Sequence, residues 1–425
     1  MSATHAILAF AAAPPPLPEA ADAHLAMLLA DTLAVAIAGS TAPGADGVLA
    51  AASRMGRGAE APVLGRWERL PAPAAAFVNG FQIHCLEWDA VHEGAVVHAM
   101  SVVTAAVHAV AHRQRSRPAA AFAALAVGVE IACRLGLAAQ GPLAFFRPAV
   151  AGLYGAALAC ARLMGLDRLG DVLGLAHAQA AGTMQAHVEG SIALPLQIAH
   201  AARAAVTAAD LAAAGLSGPR DPLEGAFGHF ALFDPGDAAA AAEGLGARWA
   251  LCDISVKPWP SGRASHAVLS VLQGYRAGEV ESVEAIVPPL VHRLVGRPWL
   301  AEMTPAYARL CLPFLAALML EEGRIDPRRF VAERFADIRL RRIGARVSAR
   351  VDDNPDPNAL SPQTVVVNGR AHAVPATLGS PAAPLPPAQH EAKLSFALSL
   401  AAARNAPDLE TLIRLPQTLL AGRDA

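Results

Sequence analysis

The stretch HCLEWDAVHEGAVVHAM, residues 84–100, gathers His84, Glu87, Asp89, His92 and His98 around Trp88 in a chain whose charged residues make up only 16%. Histidine changes charge near neutral pH, and a neighbouring carboxylate can orient the ring or fix its tautomer. If residues 77–92 are helical, His84, Glu87 and Val91 lie along one side and Trp88 and His92 form a neighbouring pair. Asp89 then points elsewhere unless the helix ends there, and His98 can return to the same cavity through the next turn. The expectation is that His98 transfers a proton and Asp89 or His92 tunes it, while Glu87 and His84 face the substrate. The plainer alternative is that these groups satisfy buried hydrogen bonds and cap a turn. No H-E-x-x-H or paired-cysteine pattern accompanies them, so no metal is expected.

A second candidate is SVKPWPSGRASHAV, residues 255–268. Pro258 and Pro260 interrupt helix, Gly262 permits a sharp path, and Lys257, Arg263 and His266 offer cations around the turn. Arginine grips both oxygens of a carboxylate and lysine answers concentrated charge, so this loop suits an organic anion. His266 either assists a leaving group or braces the loop. Arg147, in AFFRPAVAG, is a third possible anion contact, and Trp88 and Trp259 are candidate pocket walls. The glycines of GLYG and GLGARWA lack a dinucleotide context, and GRASHAV lacks the G-x-S-x-G elbow, so no nucleotide and no other cofactor is expected.

These side chains need a scaffold, and 425 residues with 54% apolar content predict two domains with much buried helix. The segment 19–40 has the length and spacing of a helix ending at Gly39. Another helical run follows Pro71 and Pro73 and continues through His92, and a third begins near His98. Further helices are expected around 119–137, 151–165, 168–183 and 199–215, with small residues permitting close approach. From about 277, the segments 280–295, 334–353 and 361–377 carry strand-like runs, and 304–323 reads as helix. The expected fold is α+β: a large all-helical domain over residues 1–276, a smaller α/β lid over 277–394, and C-terminal helices over 395–425 returning to the first domain.

Composition narrows the partners. Lys plus Arg number 34 against 36 Asp plus Glu, with no basic stripe to hold phosphates, so nucleic acid is not an expected partner. Mean hydropathy is +0.36, yet apolar runs such as 118–129 fall short of the roughly 20 residues that span a bilayer, so no membrane is expected. Five cysteines without metal-like spacing, and no cationic leader, suit a reducing, cytoplasmic setting.

The motifs LLADTLAVAIAG, FVNGFQIHCLEWDAVHEGAVVHAM, GLYGAALACARLMGLD, LEGAFGHF, SVKPWPSGRASHAV and AYARLCLPFLAALMLEEG together resemble the MmgE/PrpD family through most of the chain. That family includes 2-methylcitrate dehydratase, cis-aconitate decarboxylase and iminodisuccinate epimerase. The resemblance implies a helical domain, an α/β lid, a homodimer, and a cofactor-free site between domains for small di- or tricarboxylic acids. Glu87 and Asp89 fall on the first two acidic positions of the family's Asp-Phe-Asp-Asp-Thr-His stretch, with Ala90 and Val91 in place of the next two. His98 falls on the histidine of a His-Pro pair, and Lys257, Arg263 and His266 on the basic loop. Elsewhere the chain departs: FRP at 146–148 replaces His-x-Thr, LPLQ at 194–197 replaces Lys-x-Leu-His, and Phe314 takes the place of the lid tyrosine.

The expected activity is elimination of water from a small hydroxy acid, with Lys257 and Arg263 stabilising carboxylate or enolate charge. Epimerisation and decarboxylation are the catalytic alternatives, and a non-enzymatic binding or scaffold role is the rival. The exchange of polar groups for Phe146, Leu194 and Phe314 predicts a less carboxylated, more apolar ligand, because unmatched charges are expensive to desolvate.

Overall fold

Helices that are apolar on every side have no face to offer water and must pack on one another. Here they do so at very short range. A Cβ on Gly39 would lie 1.9 Å from the Gln82 carbonyl oxygen, and one on Gly155 would lie 2.2 Å from that of Gly128. Glycine at these two crossings lets helix Glu19–Gly39 approach Ala72–His84, and Pro118–Ala138 approach Arg147–Leu163. With Ala99–Gln114 and Ala193–Ala213 they form the centre of a large helical domain. The computed structural model describes residues 2–356, 358–401 and 404–422.

Glu19–Gly39 and Pro118–Ala138 are each 21 residues long, close to the expected helices, but also apolar enough to cross a membrane, where the apolar runs were expected to fall short. The second continues past its apolar start because Glu130 and Arg134 are buried as a pair, 2.7 Å apart. Most of both helices is covered by protein, 67% and 83% of their apolar windows, so each serves as a core helix of this fold.

A second, separate core unites Trp259 through Val374 with Leu143. Its four-stranded sheet has the order Val347–Val351, Val283–Val287, Gln363–Val367, Arg370–Val374; the first pair is parallel and the others antiparallel. The last two strands form a hairpin at Asn368-Gly369, where both residues have positive φ, 49° and 79°, as a two-residue hairpin turn requires. The fold is thus α+β, a large helical domain carrying a smaller strand-containing lid.

Three local differences from expectation have physical causes. Helix His266–Leu272 belongs to the lid core through Ala267, Val268, Leu269 and Leu272, so the lid begins near 259. The returning helix starts earlier, at Pro387, and docks on Glu19–Gly39 by a buried Lys393–Asp31 ion pair of 2.7 Å; of the expected unit 395–425, residues 402–403 and 423–425 lie outside the described residues. Finally, most of 334–344 is helical. The Asp337 carboxylate caps Ile338–Gly344 by accepting from Arg339 N and Leu340 N, which leaves only Val347–Val351 as strand.

Candidate active site

Helix Ala72–His84 stops instead of running on to His92, because the chain turns at Cys85 and enters the left-handed region at Glu87, φ +53°. A non-glycine residue there costs about 1–2 kcal/mol, and the contacts that offset it come from far along the chain. Lys257 Nζ donates to both the Glu87 carbonyl oxygen and its carboxylate, each at 3.1 Å. A short antiparallel pair, Val91 opposite Ser255 and His92 opposite Ile254, holds the two loops in register. The early acid-and-histidine stretch and the later basic loop thereby meet at the seam between the two cores.

Asp89 is the hub. Its Oδ2 accepts from His84 Nδ1 and His98 Nδ1, both at 2.9 Å, and from the Ser101 hydroxyl, while Lys257 Nζ lies 3.8 Å from Oδ1. Burial alone would raise the Asp89 carboxyl, but His84, His98 and Lys257 outweigh it and hold it well below the usual carboxylate range. Glu87 follows the same balance: burial is overcome by Lys257 first and then the two imidazoles, which bring it down to about 2. The two histidines diverge. Burial pushes both down, yet His84 has Glu87 Oε1 3.3 Å from its Nε2 as well as Asp89, and these two anions raise it. His98 has only Asp89 in direct contact, so burial wins and it is lowered. With Nδ1 committed to Asp89, His98 Nε2 engages no described protein group, and the ring lines a cavity. An imidazole fixed in this tautomer offers Nε2 as a proton acceptor at neutral pH.

That cavity lies between the domains and has a volume of about 80 Å³. Glu87, His98, Arg147, His187 and Arg263 reach it, and the remaining wall is largely apolar, with Phe146, Met184, Leu194, Val295 and Leu360 among its members. Glu87, Val96 and Leu143, three of its lining residues, have positive φ of 53°, 53° and 48°; strain of this kind gathers where surrounding structure fixes a site.

The cations near the cavity are already engaged. Arg263 donates Nε and Nη2 to Glu93 at 3.0 and 2.7 Å, Nη1 to Leu378 O at 2.6 Å and Nη2 to Thr377 O at 3.1 Å. Arg147 forms a two-pronged pair with Asp234 and also reaches the carbonyls of Ala95 and Gly141. Lys257 is committed to Glu87 and Asp89. The basic loop was expected to present free cations to a substrate; it presents cations already paired with the protein's own oxygens.

Several expected site residues lie elsewhere. His92 is adjacent in chain but turned away, with its Nδ1 accepting from Ala95 N. Trp88 faces the returning helix: Nε1 donates to Pro258 O, and Lys393 and Phe396 pack on the ring. Phe314 is enclosed in the lid core by Trp299, Phe330 and Phe335. His266 sits behind Arg263, bonded to Ser261 and stacked edge-on to Trp259, outside the cavity wall. Residues not singled out from sequence are Ser101, Glu93, Asp234 and His187. Glu93 stood within the quoted stretch, and Ser101 lies one turn beyond His98. Asp234 and His187 carry no local signal, since tertiary contact alone brings His187 to the cavity wall and Asp234 to Arg147.

His84, Asp89 and His98 could each offer a donor atom within 4.8 Å of the others, a spacing compatible with a divalent ion. The Asp89 oxygen they share is, however, already the acceptor of both imidazoles and Ser101, and the Lys257 ammonium stands beside the other oxygen. A fixed positive charge thus occupies the place beside the carboxylate that an ion would take.

The chain matches the MmgE/PrpD N-terminal domain over residues 7–241 and the MmgE/PrpD C-terminal domain over residues 260–410. It is 28% identical to cis-aconitate decarboxylase of Homo sapiens over 282 residues, 60% of this chain and 57% of that protein. It is 31% identical to the cis-aconitate decarboxylase-like protein oryM of Aspergillus oryzae over 251 residues, 54% of this chain and 52% of that protein. Identity to cis-aconitate decarboxylase of Aspergillus terreus is 28% over 288 residues, 63% and 56% of the two chains. The matches span little more than half the length of these curated relatives.

Proposed function

The chain belongs to the MmgE/PrpD family, and from that premise we propose that it is a cofactor-independent enzyme that transfers a proton at the carbon beside a carboxylate of a small carboxylic acid, with decarboxylation as the leading reaction. The observation that carries this reading is the Asp89–His98 pair, which leaves His98 Nε2 open to an enclosed cavity. The names of the three relatives favour loss of carbon dioxide over the elimination of water expected from sequence.

In such a reaction the bond from carbon to the leaving carboxylate breaks, its electron pair stays on carbon, and carbon dioxide departs. His98 Nε2, having taken up a proton from solvent as the substrate binds, then gives that proton to the carbon. Burial disfavours the imidazolium, and an incoming substrate anion offsets this by supplying an opposite charge. Ionised Glu87 beside apolar walls favours a transition state in which carboxylate charge is being dispersed. The burial that lowers His98 supports a second reading, in which neutral Nε2 removes a proton first, as dehydration and epimerisation require.

The substrate class follows from the engaged cations. With Arg263 and Arg147 paired and Lys257 bound to Glu87, a third substrate carboxylate would find few donors, so the proposal is an acid with one carboxylate to be held beside the one that is lost, and an otherwise apolar remainder. Incubating candidate acids in deuterated water and following products by NMR and mass separates the reactions. Decarboxylation places deuterium at the vacated carbon, epimerisation exchanges a substrate hydrogen, and dehydration releases water. Calorimetric titration with a mono-, a di- and a tricarboxylate tests the class: tightest binding of the tricarboxylate would count against it. Homodimerisation and a cytoplasmic setting are part of the same proposal and are checked by light scattering and cell fractionation.

A further inference from the structure

A second, wider recess of about 560 Å³ lies beside the cavity on the domain seam. The two share Leu143, Met184 and His187 as walls, so the recess adjoins the cavity. Its cations differ from the cavity's in their pairing. Arg293 and Arg297 line it, no carboxylate does, and among the described residues neither arginine lies within ion-pair distance of one. Among the described residues Arg293 hydrogen-bonds to the Pro142 carbonyl, at 3.4 Å. Arg297 crosses the seam from the lid: Nη2 donates to His187 O at 3.1 Å, the guanidinium stacks 4.7 Å over Tyr307, and Nη1 has no hydrogen-bond partner.

We propose that this recess is a receiving site for organic anions on their way to the cavity, with Arg297 as its main donor and Arg293 as a second cation. Two uncompensated guanidiniums in a concave recess raise the local concentration of anions and speed their capture. Arg297 is suited to a carboxylate, since its plane is held by Tyr307 and its Nη1, though buried, carries donors that no described group accepts. An anion held there has left bulk water before meeting the apolar inner wall, where the protein's own carboxylates occupy the cations. That the anion is the substrate rests on the enzymatic reading above; that the recess binds anions does not.

The test is calorimetric titration of the whole chain with naphthalene-2-sulfonate, an anion too large for the inner cavity, at low and high ionic strength. The expected result is binding that weakens with salt, falls about tenfold in Arg297→Gln and about threefold in Arg293→Gln, and is unchanged in His98→Ala. Absence of salt-sensitive binding, or equal affinity in wild type and Arg297→Gln, overturns the proposal. If circular dichroism shows that Arg297→Gln fails to fold, Arg293→Gln decides alone. If the arginine pattern holds while no carboxylic acid is turned over in deuterated water, the receiving site stands and the enzymatic reading falls.

Discussion

Asp89 is a carboxylate buried among partners that depend on its charge: two imidazoles and a serine hydroxyl donate to it, and an ammonium stands close by. Asp89→Asn keeps the volume and removes the charge, leaving Lys257 and His84 with Glu87 as their only anion. Breaking a buried pair on one side costs about 3–5 kcal/mol, so urea unfolding should show a loss of about that size. His98 also loses the partner that fixes its tautomer, and turnover should fall about 10²–10⁴-fold, the usual scale of acid–base assistance. Near-wild-type turnover in Asp89→Asn would remove His98 from the mechanism. His92→Ala is the contrast at this scale: its ring is outside the cavity, so turnover should change by less than about threefold. The types and the neighbourhood of Asp89 and His98 were legible in the sequence, but the saturation of Arg263 was not, because its partners include backbone carbonyls 114 and 115 residues away.

At the scale of elements, the site depends on helices that cross at glycines. In Gly155→Ala the added methyl would fall 2.2 Å from the Gly128 carbonyl oxygen, against backbone that cannot swing aside. Overpacking a rigid crossing of this kind costs about 1–3 kcal/mol or more, and a drop in melting temperature with loss of near-ultraviolet ellipticity should reveal it. Gly278→Ala, which meets open space, is the control and should be almost neutral. The helix Glu19–Gly39 and the strand-like character of 361–377 were readable from spacing. The stop after His84 was not. Local propensity allowed the helix to continue through His92, and the contact that fixes Glu87 in a left-handed turn comes from Lys257, 170 residues downstream.

The whole molecule buries many uncharged histidines. Burial pushes His187 and His112 to about 4 and His229 to about 3, in each case reinforced by a nearby cation or histidine. A group whose folded value lies below its unfolded value of 6.5 takes up its proton preferentially in the unfolded chain as pH falls. Its stabilisation is therefore complete above pH 6.5 and is lost as pH drops toward the folded value. At pH 5 each of the three should withdraw about 2 kcal/mol. Glu87 and Asp89 act lower down, since their depressed values stabilise the fold above about pH 4.5 and are lost only as pH falls toward 2. Calorimetric scans should thus show the melting temperature falling steeply between pH 6.5 and 5. A flat profile over that window would mean that these rings reach water in solution.

Taken alone, the order of residues determined the two-domain α+β plan, the buried helices with their small-residue crossings, and the two loops rich in acid, imidazole and cation. Each of these is set by neighbours a few positions apart, where periodicity and turn chemistry act. Tertiary structure alone decided which nitrogen of His98 stays open, which cations are already neutralised, and that Phe314 and Trp88 belong to packing while His187 and Arg297 line the recess on the seam. Those outcomes depend on groups a hundred or more residues apart meeting at a few ångströms, where hydrogen-bond and Coulomb energies are decided by distance and burial that no local pattern encodes.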